Sequence, residues 1–150
     1  MSPSSSLLLL AFLLPAADPK EDAKKDLEKM QGTWKVEKVV VDGKEKSAEE
    51  RAKISVSIEK NVYTIQDGDH TFVAEFTIDP STKPAEFNVL PKIQATTKDP
   101  NAGKTRRGIY ELSGDTLTIC WAREGGERPK TFESKSETKT VLFELKKQKK

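Results

Sequence analysis

One cysteine and one histidine are all that 150 residues contain, and this scarcity removes several kinds of chemistry at once. With Cys120 alone, an intramolecular disulfide is impossible, so the core and the strand ladders must hold the fold. His70 has no second His or Cys cluster to complete a metal ligand set. Asp67-Gly68-Asp69 lacks the extended spacing of a calcium loop. Gly125-Gly126 is followed by neither the Lys-Ser/Thr pair nor the helix of a phosphate loop. No Ser, His and acid form a recognisable nucleophile motif, so the sequence offers no catalytic residue, no cofactor and no enzyme reading. An excess of one charge is also missing. The 26 basic and 24 acidic side chains leave +2, which gives no reason to expect nucleic acid. Lys146, Lys147, Lys149 and Lys150 form a small basic tail that reads as a solvated, fraying terminus.

Long apolar runs are scarce as well. Leu7 to Leu14 is too short to span a bilayer, and the first seventeen residues hold no charged side chain. Pro15-Ala16-Ala17 follows, then an abruptly charged chain from Asp18. This pattern reads as a signal peptide over residues 1–17, cleaved near Ala16 or Ala17, ahead of a single domain over 18–150. The expected localisation is extracytoplasmic, periplasmic or secreted, with no transmembrane segment in the mature chain. No Cys stands at the cleavage zone to carry a lipoprotein anchor.

What the chain does have is alternation. With 35% hydrophobic and 33% charged residues, a small core must be placed economically, and period-two patterning does this. The clearest case runs from Gly108 to Ala122, where Gly114-Asp115 suits a tight two-residue hairpin turn. Closing there pairs Ser113 with Thr116, Leu112 with Leu117, Tyr110 with Ile119 and Gly108 with Trp121, whose indole gains room beside the glycine. Ile109 and Cys120 fall on the opposite face. A turn at Lys60-Asn61 pairs Ile58 with Tyr63 and Val56 with Ile65. A turn at Asp67-Gly68 is expected to pair Ile65 with His70 and Tyr63 with Phe72. Ala74, Phe76 and Ile78 continue that inward set.

Trp34, Val36 and Val40 share a face in the first strand, interrupted at Lys38, where a bulge or a barrel end is expected. Asp42-Gly43 supplies turn chemistry after it. Phe87 and Val89 mark a fifth strand, and Val141, Phe143 and Leu145 an eighth. Asp18-Pro19 with Glu21 opens a short helix to about Met30, whose only large apolar residues are Leu27 and Met30, enough for a lid on one barrel end. Ser47-Ala48-Glu49-Glu50 is a second capping box. Residues 79–84, 91–104 and 124–129 read as loops, rich in Pro and Gly. Eight antiparallel strands in up-and-down order, each with one apolar face, close into a barrel that leaves no free edge.

Gly32-Thr33-Trp34 resembles the Gly-x-Trp start of lipocalin-type barrels. Together with Gln31-Gly-Thr-Trp-Lys-Val, Ile78-Asp79-Pro80, Lys83-Pro84, Gly108-Ile-Tyr-Glu-Leu, Gly114-Asp-Thr-Leu-Thr-Ile-Cys and Glu127-Arg128-Pro129, it is similar to a small lipocalin-like domain family of planctomycete bacteria. The resemblance covers nearly all of residues 27–147. It implies an eight-stranded barrel and an exported bacterial protein, with no activity to inherit. It also assigns Gly32 and Trp34 to the barrel base, where lipocalins set a late Arg over the indole. Lys146-Lys147 stands there in this chain, and Arg128 is the other stand-in.

Extending the hairpin of residues 108–122 outward places Arg106 opposite Arg123, on the face of Tyr110 and Trp121. Two cations facing each other are unfavourable unless an anion lies between them. One reading is that the hairpin flares and both arginines meet solvent, Glu124 or Glu127. The other is an anion at the barrel mouth held by Arg106 and Arg123, with Tyr110 and Trp121 lining the apolar part. The sequence therefore supports an exported, non-enzymatic barrel binding a small apolar or anionic ligand. A filled barrel acting through its loops as a protein-interaction or inhibitor-like module is the alternative. Only Ala74 and Gly108 are small among the inward positions, which favours a largely filled interior.

Overall fold

The computed structural model describes residues 19–92, 104–123 and 126–149. The expected signal peptide, the Asp18 cap and most of the 91–104 loop lie outside the described residues. The elements are α1 (Pro19–Met30), β1 (Gly32–Val41), β2 (Lys44–Glu45), α2 (Ala48–Ala52), β3 (Ile54–Glu59) and β4 (Val62–Asp67). They continue with β5 (His70–Asp79), β6 (Ala85–Pro91), β7 (Arg106–Ser113), β8 (Thr116–Ala122) and β9 (Thr140–Lys147). Every pairing is antiparallel between neighbours in sequence, except that β1 pairs with β3 on one side and with β9 on the other. That last pairing closes eight strands into a barrel, and β2 is only a two-residue return on the end of β1.

Alternation explains most of the register. The β7–β8 ladder runs from Gly108 opposite Trp121 to Ser113 opposite Thr116, as the turn at Gly114-Asp115 requires. The β3–β4 ladder sets Val56 against Ile65 and Ile58 against Tyr63. The next hairpin differs from expectation. Its turn is Gly68-Asp69, so Ile65 faces Phe72 and Tyr63 faces Ala74. The partner moves by two residues, which keeps the same side chains inward. It also puts the bulky Tyr63 ring against the smallest inward residue of β5 instead of against Phe72.

The bulge in β1 has a larger effect. Its register with β9 shifts between Val36 and Lys38, so the extra residue reverses the alternation. Val39, not Val40, joins the interior with Trp34 and Val36. Val40 turns outward and joins a second apolar cluster with Ile109, Cys120 and Leu142 on the barrel's outer surface. The chain from 126 to 139 covers this outer cluster. Phe132 packs on it, Ser134 Oγ donates to the Thr140 carbonyl at 2.6 Å, and Cys120 Sγ donates to the Glu133 carbonyl at 3.5 Å. Cys120 is thus a buried structural thiol.

Helix α1 closes one end. Leu27 and Met30 pack on the interior cluster, and the Trp34 indole donates to the Met30 carbonyl at 2.8 Å. Gln31 ties the helix end to the β3–β4 turn: its Nε2 donates to the Leu27 and Lys60 carbonyls, and its Oε1 accepts from Lys60 N at 2.6 Å. The capping box of α2 is complete, with Ser47 and Glu50 exchanging backbone and side-chain hydrogen bonds. Among the described residues, no helix is long and apolar enough to cross a membrane.

Candidate functional site

The barrel end away from α1 is its mouth, formed where β3 and β7 begin and where β6 and β8 end. Inward alternation brings Phe72 of β5 and Trp121 of β8 there from opposite parts of the wall. Their rings lie nearly parallel, at 7° and 6.1 Å between centroids. The Arg106 guanidinium lies 5.2 Å from the Trp121 ring centroid and 5.5 Å from that of Phe72, within cation–π range of both. Trp121 is only 5% exposed, yet its indole N–H has no hydrogen-bond partner. Phe72, Ile65 and Val41 are partly exposed around it and continue the interior cluster outward. The mouth therefore combines an apolar aromatic face, a cation and a buried donor that lacks an acceptor.

The four residues expected to form one site are divided by the structure. Arg106 and Trp121 come together. Arg123 does not join them, because the β7–β8 ladder ends at Gly108 and Trp121 and the strands part beyond it. Arg106 pairs instead across the sheet with Val89, and Arg123 donates to Asp42 Oδ2 at 2.7 Å, tying β8 to the β1–β2 turn. The two arginines thus fall beyond the paired part of the hairpin, where Arg123 meets the Asp42 carboxylate. Tyr110 belongs to the α1 end: its hydroxyl donates to Asp26 Oδ2 at 2.7 Å. Burial is the main cause of an upward shift in the Tyr110 pKa. The Asp26 hydrogen bond and the charges of Asp26, Asp79 and Asp22 add to it. A cavity of about 310 Å³ adjoins it on the outside, lined in part by Asp26, Pro84, Leu112 and Phe132.

Gly32 and Trp34 lie at the α1 end of the barrel. Trp34 is 1% exposed, and Gly32 opens β1 at φ +118°, a conformation that glycine adopts readily. Lys147 of β9 sets its Nζ 5.6 Å from the Trp34 ring centroid. Arg128 instead donates to the Gly108 carbonyl at 2.7 Å and lies 3.5 Å from Glu86. His70 is exposed in the β4–β5 hairpin, and among the described residues no group of three His, Cys, Asp or Glu could hold a metal. No family model, curated protein or solved structure matches this chain. Its own geometry is therefore what defines the site. Phe72 is the residue that sequence reasoning missed. It stacks across the barrel on a non-neighbouring strand, a contact that pairwise ladder reading does not reach.

Proposed function

We propose that this chain is an exported, non-enzymatic, lipocalin-like barrel that binds one small apolar or anionic molecule at its mouth. The observation that carries this reading is the buried, unpartnered indole N–H of Trp121 beside the Phe72 ring and the Arg106 cation. A buried donor without an acceptor costs about 1–3 kcal/mol, which a bound acceptor recovers. The rings supply an apolar wall and Arg106 a positive charge, the combination found in pockets that fix an amphiphile by a few polar points. Export rests on the uncharged leader over residues 1–17, and kinship with the planctomycete lipocalin-like domains rests on the motifs around Gly32, Gly108 and Gly114.

The test is titration of the chain from residue 18 with a fluorescent fatty-acid-like probe, followed by tryptophan emission. Saturable one-to-one quenching that weakens in Arg106→Ala and is unchanged in Arg123→Ala is expected, since Arg123 is engaged with Asp42. A flat titration up to high probe concentration refutes mouth binding. The second reading, a filled barrel acting through its loops, draws on the fully buried rings of Trp34, Tyr63 and Phe87 in the deeper interior. A flat titration directs the search to protein partners.

A further inference from the structure

The second apolar cluster is a single row across four strands of the barrel's outer surface. Ile109 of β7 stands opposite Cys120 of β8, Cys120 opposite Leu142 of β9, and Leu142 opposite Val40 of β1. The β1 bulge completes the row, because its reversal of the alternation is what turns Val40 outward. An acidic residue stands at each end, Glu86 of β6 opposite Ile109 and Glu45 of β2 opposite Val40. All four apolar side chains are buried, and what covers them is the chain from 126 to 139.

This strap is fastened at three places. Near its start, Arg128 donates to the Gly108 carbonyl and lies beside Glu86. In its middle, Phe132 packs on the row, and the Glu133 carbonyl accepts from Cys120 Sγ and from Thr140 Oγ1, the latter at 3.2 Å. Farther along, Ser134 Oγ accepts from Gly43 N at 3.1 Å while donating to the Thr140 carbonyl. Gly43 is fitted to that contact. A Cβ there would lie 2.8 Å from Ser136 N and 3.3 Å from the Lys135 carbonyl carbon, both in the strap backbone.

Little else holds the segment down. Phe132 is its one large apolar side chain, and none of its residues is in a helix or strand. A concavity of about 660 Å³ is lined by residues from Gly126 to Thr140 alone, so the strap arches around open space instead of packing on itself. Few buried apolar contacts and many exposed residues mark a segment that opens below the free energy of global unfolding. The row beneath belongs to the ladders that close the barrel. We infer that residues 126–139 form a strap that opens as one unit from an intact barrel, latched by Ser134 on the β1–β2 turn. Opening bares the Val40, Ile109, Cys120 and Leu142 row together with its thiol, and closing shields both. This device operates whether or not the mouth binds a ligand.

Alkylation of Cys120 by iodoacetamide at pH 8, followed across low urea concentrations, tests this on the chain from residue 18. Global unfolding is measured in parallel by tryptophan emission. Labelling should run faster than the globally unfolded fraction allows, by about tenfold or more, and should depend little on urea, since releasing the strap exposes little surface. Ser134→Ala should speed labelling by about tenfold, the equivalent of one hydrogen bond. Ile58→Val trims a buried interior residue of β3, outside the row, and lowers the unfolding midpoint. It should leave the labelling rate unchanged, because the open form keeps the barrel intact. Labelling that follows the global urea slope, or that Ile58→Val accelerates about fivefold with the loss of global stability, overturns the inference. Equal labelling of Ser134→Ala and the natural chain overturns the latch. The urea dependence of the natural chain decides the matter even if a variant fails to fold.

Discussion

Lys147 holds its ammonium 5.6 Å from the centre of the Trp34 ring while donating to the carbonyl of Lys29, at the C-terminal end of α1, at 2.7 Å. One cation thus joins the last strand, the first strand and the helix that covers them. A positive charge at a helix C-terminus is favourable, as is one over an indole face. Lys147→Met keeps most of the apolar stem but removes both contacts. It should lower the free energy of urea unfolding by about 1 kcal/mol. Lys147→Arg should restore the loss, since a guanidinium stacks on indole at least as well.

Gly108 is the point where three elements come too close for a side chain. A Cβ there would lie 2.6 Å from the Cys120 carbonyl oxygen, 2.8 Å from Trp121 Cβ and 2.9 Å from the Phe87 carbonyl oxygen. Two of these atoms are backbone and cannot swing aside, so the ladder itself must spread. Gly108→Ala should destabilise the barrel by about 1–3 kcal/mol, the usual cost of overpacking. Its carbonyl also accepts from Arg128, so the strain should reach the segment over the outer cluster. Urea unfolding gives the loss, and earlier amide exchange around Phe132 would show that the cover has loosened.

Gly108 also shows how far the sequence can be read. Alternation on both sides of Gly114-Asp115 fixes the hairpin register, and the register alone places a glycine beside the indole. The same logic recovers the closed eight-stranded barrel and its helical lid. It fails where one residue alters the count or where contacts skip strands. The β1 bulge exchanges Val40 for Val39 in the interior, and an inserted residue has no signature beyond the Lys38 that interrupts the stripe. The covering role of the segment 126–139, of which the sequence reads only the part to Pro129 as loop, is not legible because it comes from Phe132 and from hydrogen bonds to residues far away in sequence, such as Ser134 Oγ accepting from Gly43 N. A flare beyond Gly108 and Trp121 is one of the two readings the sequence allows, but Asp42 as the partner of Arg123 is not legible there, because it comes from the β1–β2 turn far away in sequence.

Burial pushes the Cys120 thiol up to about 11, and hydrogen bonds involving Glu133 and Thr140 offset part of that rise. The folded thiol therefore keeps its proton at pH values where the unfolded thiol, with an ordinary pKa, has lost it. The folded state binds more protons in that window, so stability is full below the unfolded pKa and falls as pH rises toward about 11. Unfolding midpoints measured from pH 8 to 11 should decline more steeply for the natural chain than for Cys120→Ala, because only the former carries this titration. Parallel slopes would mean that the thiol titrates alike in both states. Native Cys120 should also resist alkylation at pH 8, since reaction needs the thiolate and access to it.

Tyr63 carries its polar atom deep in the wall, where Trp121 keeps its donor at the mouth. Its side chain is fully buried, its hydroxyl has no hydrogen-bond partner, and burial raises its pKa strongly. The ring itself is well placed, edge-on to Phe87 at 6.1 Å and opposite Ala74. Tyr63→Phe keeps that packing and removes only the unsatisfied oxygen. Since an unmade buried hydrogen bond costs about 1–3 kcal/mol, the variant should be more stable than the natural chain by about 1 kcal/mol in urea unfolding. A clear loss of stability would show that the hydroxyl is satisfied in solution by an internal water, which typically makes about three hydrogen bonds of its own. The deeper interior would then be hydrated at Tyr63, and a ligand reaching that depth would have to displace the water as well as satisfy Trp121.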